Sequence, residues 1–155
     1  MMVVAFIVDG PLTAEAQARA LHAHAGKWQG LTRGGGVGAT LRFEGIVRRA
    51  EPDHGTVSGG AGGGVAERDL LALDYQTYDP MAERGLLTLA REVAERHGLK
   101  SIVAMHSRGR VGVGEVSFVL EVAAPHRAET LAAVADFIDR LKQDVPIWKR
   151  AVWAG

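Results

Sequence analysis

The stretch SIVAMHSRGRVGVGEVSFVLEVAAPHRAETLAAVADFIDRLKQD, residues 101–144, decides the fold class. Two apolar, β-branched runs, Ser101 to His106 and Glu115 to Ala123, read as strands joined by a Gly-rich turn. Pro125 then suits the first turn of a helix running to about Asp144, with Leu131, Val134, Ala135, Ile138 and Leu141 as its apolar stripe. Pro146 stops that helix, because its ring and missing N–H cannot continue the hydrogen-bond ladder.

Upstream, Pro80 to His97 places Leu86, Leu89, Ala90, Val93 and Ala94 at helical spacing and ends at Gly98, a good residue for the left-handed position after a helix. Leu71, Leu73 and Tyr75 alternate as a strand does. From Val37 to Val47, Val37, Ala39, Leu41 and Phe43 oppose Thr40, Arg42 and Glu44, the period of a half-buried strand. Val3 to Val8 is a further short strand, and Thr13 is placed to cap an Ala-rich helix reaching about Ala25. The order is strand, helix, strands, helix, strands, helix and a short tail: an α+β layout without repeats or a domain boundary, so residues 1–155 read as a single domain. Between Arg49 and Glu67, Gly55, Gly59, Gly60, Gly62, Gly63 and Gly64 leave too little apolar surface to offset the entropy of ordering, so that segment reads as a mobile surface loop.

With 155 residues, 47% of them hydrophobic and 23% charged, the chain has the composition of one globular domain with a real core. Its 18 basic and 18 acidic side chains cancel, so no overall field draws it to nucleic acid or an anionic membrane. Any anion must be held by a local cluster. There is no cysteine, which excludes disulfides, thiolate metal sites and a cysteine nucleophile; sulfur chemistry would need sulfur brought by another molecule. The apolar opening from Met2 to Val8 lacks a basic leader and runs into Asp9-Gly10-Pro11, so it reads as a strand rather than a signal peptide or membrane span, and a cytoplasmic location is expected.

Chemistry concentrates near the C-terminus, in Asp139 to Arg150. Lys142 falls on the last helical turn, and Lys149 follows the proline turn beside Trp148. A lysine partly desolvated near other cations serves as a base, a nucleophile or an anion clamp, whereas the same residues also simply complement a helix C-terminus. His126 and Arg127 occupy the start of the same helix, where free N–H groups face an anion; a solvated first turn is the plain alternative. Arg48 ends an apolar run as a third cation.

The other motifs are weaker. Gly34-Gly35-Gly36-Val37-Gly38-Ala39 has a dinucleotide-like spacing but follows no strand and opens a strand instead of a helix, so the mechanism behind that motif is missing. No glycine run is followed by Lys-Ser or Lys-Thr, and the six histidines show no metal-ligand spacing, so neither a P-loop nor a metal site is expected.

Five pieces in order carry a resemblance: Phe43-Glu44-Gly45-Ile46-Val47-Arg48; Leu73-Asp74-Tyr75 with Tyr78 and Met81; His106 with Gly109 and Gly114-Glu115; His126-Arg127; and Leu141-Lys142 with Pro146-Ile147-Trp148-Lys149. Together, over about residues 37–150, they resemble the molybdopterin synthase large-subunit family. The resemblance implies an α/β hammerhead-type fold with an additional antiparallel β-rich subdomain. It also implies a homodimer within a heterotetramer, each end holding a small ubiquitin-like sulfur carrier with a C-terminal Gly-Gly thiocarboxylate. The implied reaction moves sulfur from that carrier onto cyclic pyranopterin monophosphate to make the dithiolene of molybdopterin, with no cofactor of its own.

By the same resemblance Lys142 and Lys149 are the catalytic lysines, while Ile46, Val47, Arg48, His126, Arg127 and Arg150 match substrate-contacting positions. Charge suggests their roles: Lys142 for the oxyanion or proton at the carrier's thiocarboxylate, and Arg48, His126 and Arg127 for the phosphate. His126 and Lys142 are sixteen residues apart, which on one helix is about 24 Å, too far for one pterin to bridge. A composite site is therefore expected, with the two lysines from one protomer and His126 and Arg127 from its mate.

The sequence departs from the family pattern at Gln76, where a carboxylate is usual, at Ser107, which separates His106 from Arg108, and at Ala151, which replaces an acidic residue. Two rivals are a non-catalytic module for a ubiquitin-like partner and a phosphotransferase or phosphodiesterase. A pure docking surface has no need of all three cations, and the second rival requires a metal site or carboxylate pair that the sequence does not offer at readable spacing.

Overall fold

A computed structural model describes residues 1–25, 35–52 and 67–155. The glycines between Gly55 and Gly64, and Gly34, lie outside the described residues. The elements run β1 (Met2–Asp9), α1 (Ala14–Ala25), β2 (Ala39–Ile46), β3 (Ala50–Pro52), β4 (Glu67–Thr77), α2 (Met81–Arg96), β5 (Ser101–Gly112), β6 (Val116–Ala124), α3 (Arg127–Asp144) and β7 (Ile147–Trp153). This is the α+β class that the sequence predicts.

β5 organises the sheet. Its first part, Ser101 to Arg108, lies between β1, to which it is parallel, and β6, to which it is antiparallel; β2 pairs with β6 on the far side. From Gly109 to Gly112 it pairs instead with β4, which also carries β7 and β3. The change of partner falls at Gly109, whose φ of +84° is open to glycine and strained for other residues. β5 thus runs well past the strand end expected at His106, and the glycine turn shrinks to the residues around Gly114.

Alternation along β5 builds two cores. Ile102 and Ala104, with Leu120 and Val122 of β6, face α2 and α3 and pack against Leu86, Leu89, Val93 and Phe137. Val103 and Met105 face the other way and join Phe6 and Val119, with Leu21 of α1 packed alongside. Both faces of β5 are therefore buried, which is why its sequence reads as a continuous apolar run. α1 begins where Thr13 Oγ1 accepts the Ala16 N–H at 3.1 Å, the expected cap. α2 buries all five predicted stripe residues, and after its C-cap His97 the chain leaves through Gly98 with φ of +62°.

Three expectations need correction. The buried face of α3 is Thr130, Ala133, Val134 and Phe137, whereas Leu131 and Ala135 are exposed. Phe137 sets the helix's rotation by stacking on Phe118 at 5.8 Å, and Thr130 tolerates burial because its hydroxyl donates to the Arg127 carbonyl at 2.8 Å. Pro125 precedes the helix rather than entering its first turn, and His126 is the N-cap. Leu71 does not share a face with Leu73 and Tyr75: β4 pairs Leu70 with Trp153 and Ala72 with Val152, so Leu71 is an extra bulged residue turned to solvent.

Gly38, in the glycine stretch discounted as a nucleotide motif, has a packing role. A Cβ there would stand 2.1 Å from the Pro125 carbonyl oxygen, so the approach of this segment to the start of α3 requires glycine.

Candidate active site

Where the end of α3 meets β7 and the ends of β2, β4 and β6, a cleft of about 570 Å³ opens, a size suited to a small-molecule ligand. α3 contributes Ile138, Leu141 and Lys142 to its wall. The chain then turns at the buried Val145, whose N–H donates to the Leu141 carbonyl at 3.3 Å, and the Pro146 carbonyl accepts from the Tyr78 N–H at 3.2 Å. That turn fixes the start of β7, where strand alternation sends Ile147 and Lys149 into the cleft and Trp148 and Arg150 to the other face. Lys142 and Lys149 therefore reach one cleft from a helix end and a strand.

Opposite them, β2 delivers Ile46, Val47 and Arg48. Val47 is pinned at both ends: its N–H donates to the Glu115 carbonyl at 3.0 Å and its carbonyl accepts from the Gly114 N–H at 2.9 Å. Its side chain is buried, so Arg48 leaves a fixed point. Gly45 allows β2 to lie close to β6, since a Cβ there would come within 3.3 Å of Phe118 Cβ.

The floor is made by residues that the sequence did not single out as site residues. On β6, Gly45 pairs with Phe118 but Ile46 pairs with Val116, so Ser117 is bulged, and both Ser117 and Phe118 line the cleft although adjacent strand residues normally point apart. The Tyr75 hydroxyl donates to Ser117 Oγ at 3.0 Å, and Ser117 Oγ in turn donates to the Gly45 carbonyl at 3.4 Å. His106 lies beside them, edge-on to Tyr75 with ring centroids 5.0 Å apart and 5.7 Å from Phe118. Its Nδ1 lies 2.8 Å from the Ser107 carbonyl. Burial pushes the His106 pKa below its ordinary value, against the opposing pull of that hydrogen bond. The signal for His106 and Tyr75 was present in the motif pieces quoted above; for Ser117 there was none, because a bulge is a tertiary event.

His126 and Arg127 stand at the other end of α3, where with Gly38, Pro125 and Ala128 they line a separate, shallow cleft. Within one chain the structure does not bring them to Lys142. Arg150, on the outer face of β7, donates to Asp74 Oδ2 at 3.1 Å across the β4 pairing. Ser107 is buried with its hydroxyl unpartnered, and the charge one residue later, Arg108, pairs with Asp9 at 2.7 Å and with Asp79. Ala151 packs on the apolar cluster of Val47, Leu70, Leu73 and Val111. Among the described residues no group of three or more histidine, aspartate or glutamate side chains is placed to hold a metal ion, and no helix is long and apolar enough to cross a membrane.

Fold and cleft define a class: an α+β protein whose ligand-sized cleft is ringed by one arginine and two lysines over a hydroxyl and imidazole floor. The family model described as "MoaE protein" matches residues 16–144, and the chain belongs to that family. It is 34% identical over 120 residues to the molybdopterin synthase catalytic subunit of Cereibacter sphaeroides, covering 77% of this chain and 71% of that one. The human molybdopterin synthase catalytic subunit is 36% identical over 86 residues, 56% of this chain and 46% of the human protein. The chain thus spans about half the length of that relative, and less still, 24%, of the Drosophila willistoni one. Among solved structures, molybdopterin synthase from Staphylococcus aureus superposes with a TM-score of 0.68 at 27% identity, over 96% of this chain and 90% of that one.

Proposed function

We propose that the chain is the catalytic subunit of a molybdopterin synthase, a cytoplasmic sulfurtransferase that moves sulfur from the thiocarboxylated Gly-Gly end of a small ubiquitin-like carrier onto cyclic pyranopterin monophosphate. The observation that carries this reading is the meeting of Arg48, Lys142 and Lys149 around one cleft in a chain of this family. A thiocarboxylate and a phosphorylated pterin are both anions, and three cations on a partly apolar wall suit such a pair. Lys142 stabilises the oxyanion formed when the carrier's thiocarboxylate is attacked, or moves a proton there, with Lys149 beside it. The chain has no cysteine to carry the sulfur itself, which agrees with delivery by a partner.

His126 and Arg127 enter this reading through a second copy of the chain. α3 is continuous from Arg127 to Asp144, so His126 and Lys142, at its two ends, are about 24 Å apart. In a homodimer within a heterotetramer, His126 and Arg127 of one protomer complete the phosphate pocket of the other, opposite Arg48.

The direct test mixes the purified chain with thiocarboxylated carrier and cyclic pyranopterin monophosphate and looks by mass spectrometry for the dithiolene pterin. Product is expected. Carrier that binds without any sulfur reaching the pterin would reduce the chain to a docking module.

A further inference from the structure

His106 has a geometry that the chemistry above leaves unused. Its Nδ1 lies 2.8 Å from a carbonyl oxygen, which only accepts, so Nδ1 must carry the proton and the neutral ring's Nε2 must be an acceptor. No hydrogen bond to Nε2 is made among the described residues, and the ring sits in the wall of the cleft with 7% of the residue exposed. Tyr75, in edge contact at 5.0 Å, and Phe118, tilted against it at 5.7 Å, pack on the ring, so it has little freedom to turn away. Arg48, Lys142 and Lys149 offer only donors to a ligand, and the hydroxyl protons of Tyr75 and Ser117 are directed inward along the chain to Gly45.

We infer that His106 Nε2 is a specificity determinant of this cleft, accepting a hydrogen bond from an N–H of the bound heterocycle while the cations hold its anionic part. The ligand class is a phosphorylated nitrogen heterocycle that presents a ring or exocyclic N–H, and a phosphorylated analogue of the same size with only acceptors at that position would leave the imidazole unpaired. A site built around a buried hydrogen-bond partner discriminates strongly in this way, since the mismatched ligand strands a desolvated group. Burial supports the assignment by keeping the ring neutral, hence an acceptor, at and below neutral pH. The inference rests on the cleft being the substrate site of the proposed reaction. It adds what reads the pterin ring as opposed to its charge.

The test compares wild type with His106→Phe, His106→Gln and His106→Asn, measuring by calorimetry the Kd for cyclic pyranopterin monophosphate and, separately, for the unmodified Gly-Gly carrier. Phe keeps the ring without an acceptor; Gln carries an amide oxygen out to the place of Nε2; Asn reaches only as far as Nδ1. Expected is a loss of about tenfold in pterin affinity for His106→Phe, the equivalent of one buried hydrogen bond, with recovery in His106→Gln and unchanged carrier affinity throughout. Should His106→Phe fail to fold, the Gln and Asn variants decide, with Gln binding the pterin at least fivefold tighter. Equal pterin affinity in wild type and His106→Phe, or in Gln and Asn, overturns the inference and leaves the proposed function standing. A parallel loss of carrier affinity means that His106 only shapes the cleft and overturns it also. If the wild-type chain binds neither ligand, the proposed function itself fails and this inference with it.

Discussion

Tyr75 on β4 and Ser117 on β6 are joined by a 3.0 Å hydrogen bond although β5 runs between their strands. The contact crosses the sheet near Gly109, where β5 exchanges its β1 and β6 partners for β4, and it depends on the bulge that turns Ser117 inward. One bond therefore ties the two parts of the sheet together at the floor of the cleft.

Removing that hydroxyl with Tyr75→Phe should cost about 1 kcal/mol or more, because the bond is partly buried and Ser117 loses its donor. For a domain of this size the melting temperature should fall by roughly 2–4 °C. An unchanged melting curve would show that solvent replaces the phenol without loss.

Lys142 is exposed on the last turn of α3, so its contribution to stability is small while its proposed contribution to transition-state charge is large. Lys142→Ala should keep the wild-type melting temperature within the range of a shift of about 0.5 kcal/mol and lower dithiolene formation by about 100-fold or more. Activity within a few fold of wild type would remove Lys142 from the chemistry.

Much of this was legible in the sequence, and the gaps have physical causes. The face of α2 was readable because Leu86, Leu89, Ala90, Val93 and Ala94 obey the helical period and nothing else on that helix competes. On α3 the hydrophobic count favoured Leu131 over Thr130, but burial followed the partner surface: Phe137 meets Phe118, and a threonine that satisfies its own hydroxyl locally is admitted. Leu71 was misplaced because a bulge breaks the period of two without leaving a mark in composition. At the site, Arg48 and Lys142 stand at ends of elements that the sequence delimits, whereas Lys149 lies in β7, a strand where the sequence reads only as a short tail. The floor could not be read in the same way, since Tyr75, His106 and Ser117 converge only when β5 changes partners.

The buried imidazole also predicts a pH dependence of stability. Since burial holds the His106 pKa below its ordinary value in the folded chain, the unfolded chain takes up this proton first as the pH falls through about 6.5. The stability contributed by keeping the ring neutral is thus present above that pH and is lost as the pH drops toward the lower, folded-state value. The carboxyl of Asp9, held low by hydrogen bonding to Arg108, and that of Asp79, held low first by Thr77 and then by Arg108, add their losses only in the acidic carboxylate range. Melts from pH 7.5 to 5 should therefore show a slope in wild type that is shallower in His106→Gln. Parallel curves for the two proteins would mean that the ring accepts a proton in the folded state at little cost.

The separation of Lys142 from Arg127 along α3 gives the sharpest test of the composite site. If each site takes its lysines from one protomer and His126 with Arg127 from the other, then Lys142→Ala and Arg127→Ala homodimers each carry two broken sites. A heterodimer of the two variants carries one site with both defects and one with neither, because its intact Lys142 and intact Arg127 come from different chains. Random exchange of subunits makes half the dimers mixed, so about a quarter of all sites should be whole. Dithiolene formation should then rise from near zero for either variant alone to about a quarter of the wild-type rate once the subunits have been exchanged by co-expression. Native mass spectrometry would establish that heterodimers are present. Heterodimers without recovered activity would mean that Lys142 and Arg127 serve the same site from the same chain, and full activity of Arg127→Ala alone would mean that Arg127 serves none; in either case the composite arrangement would have to be abandoned.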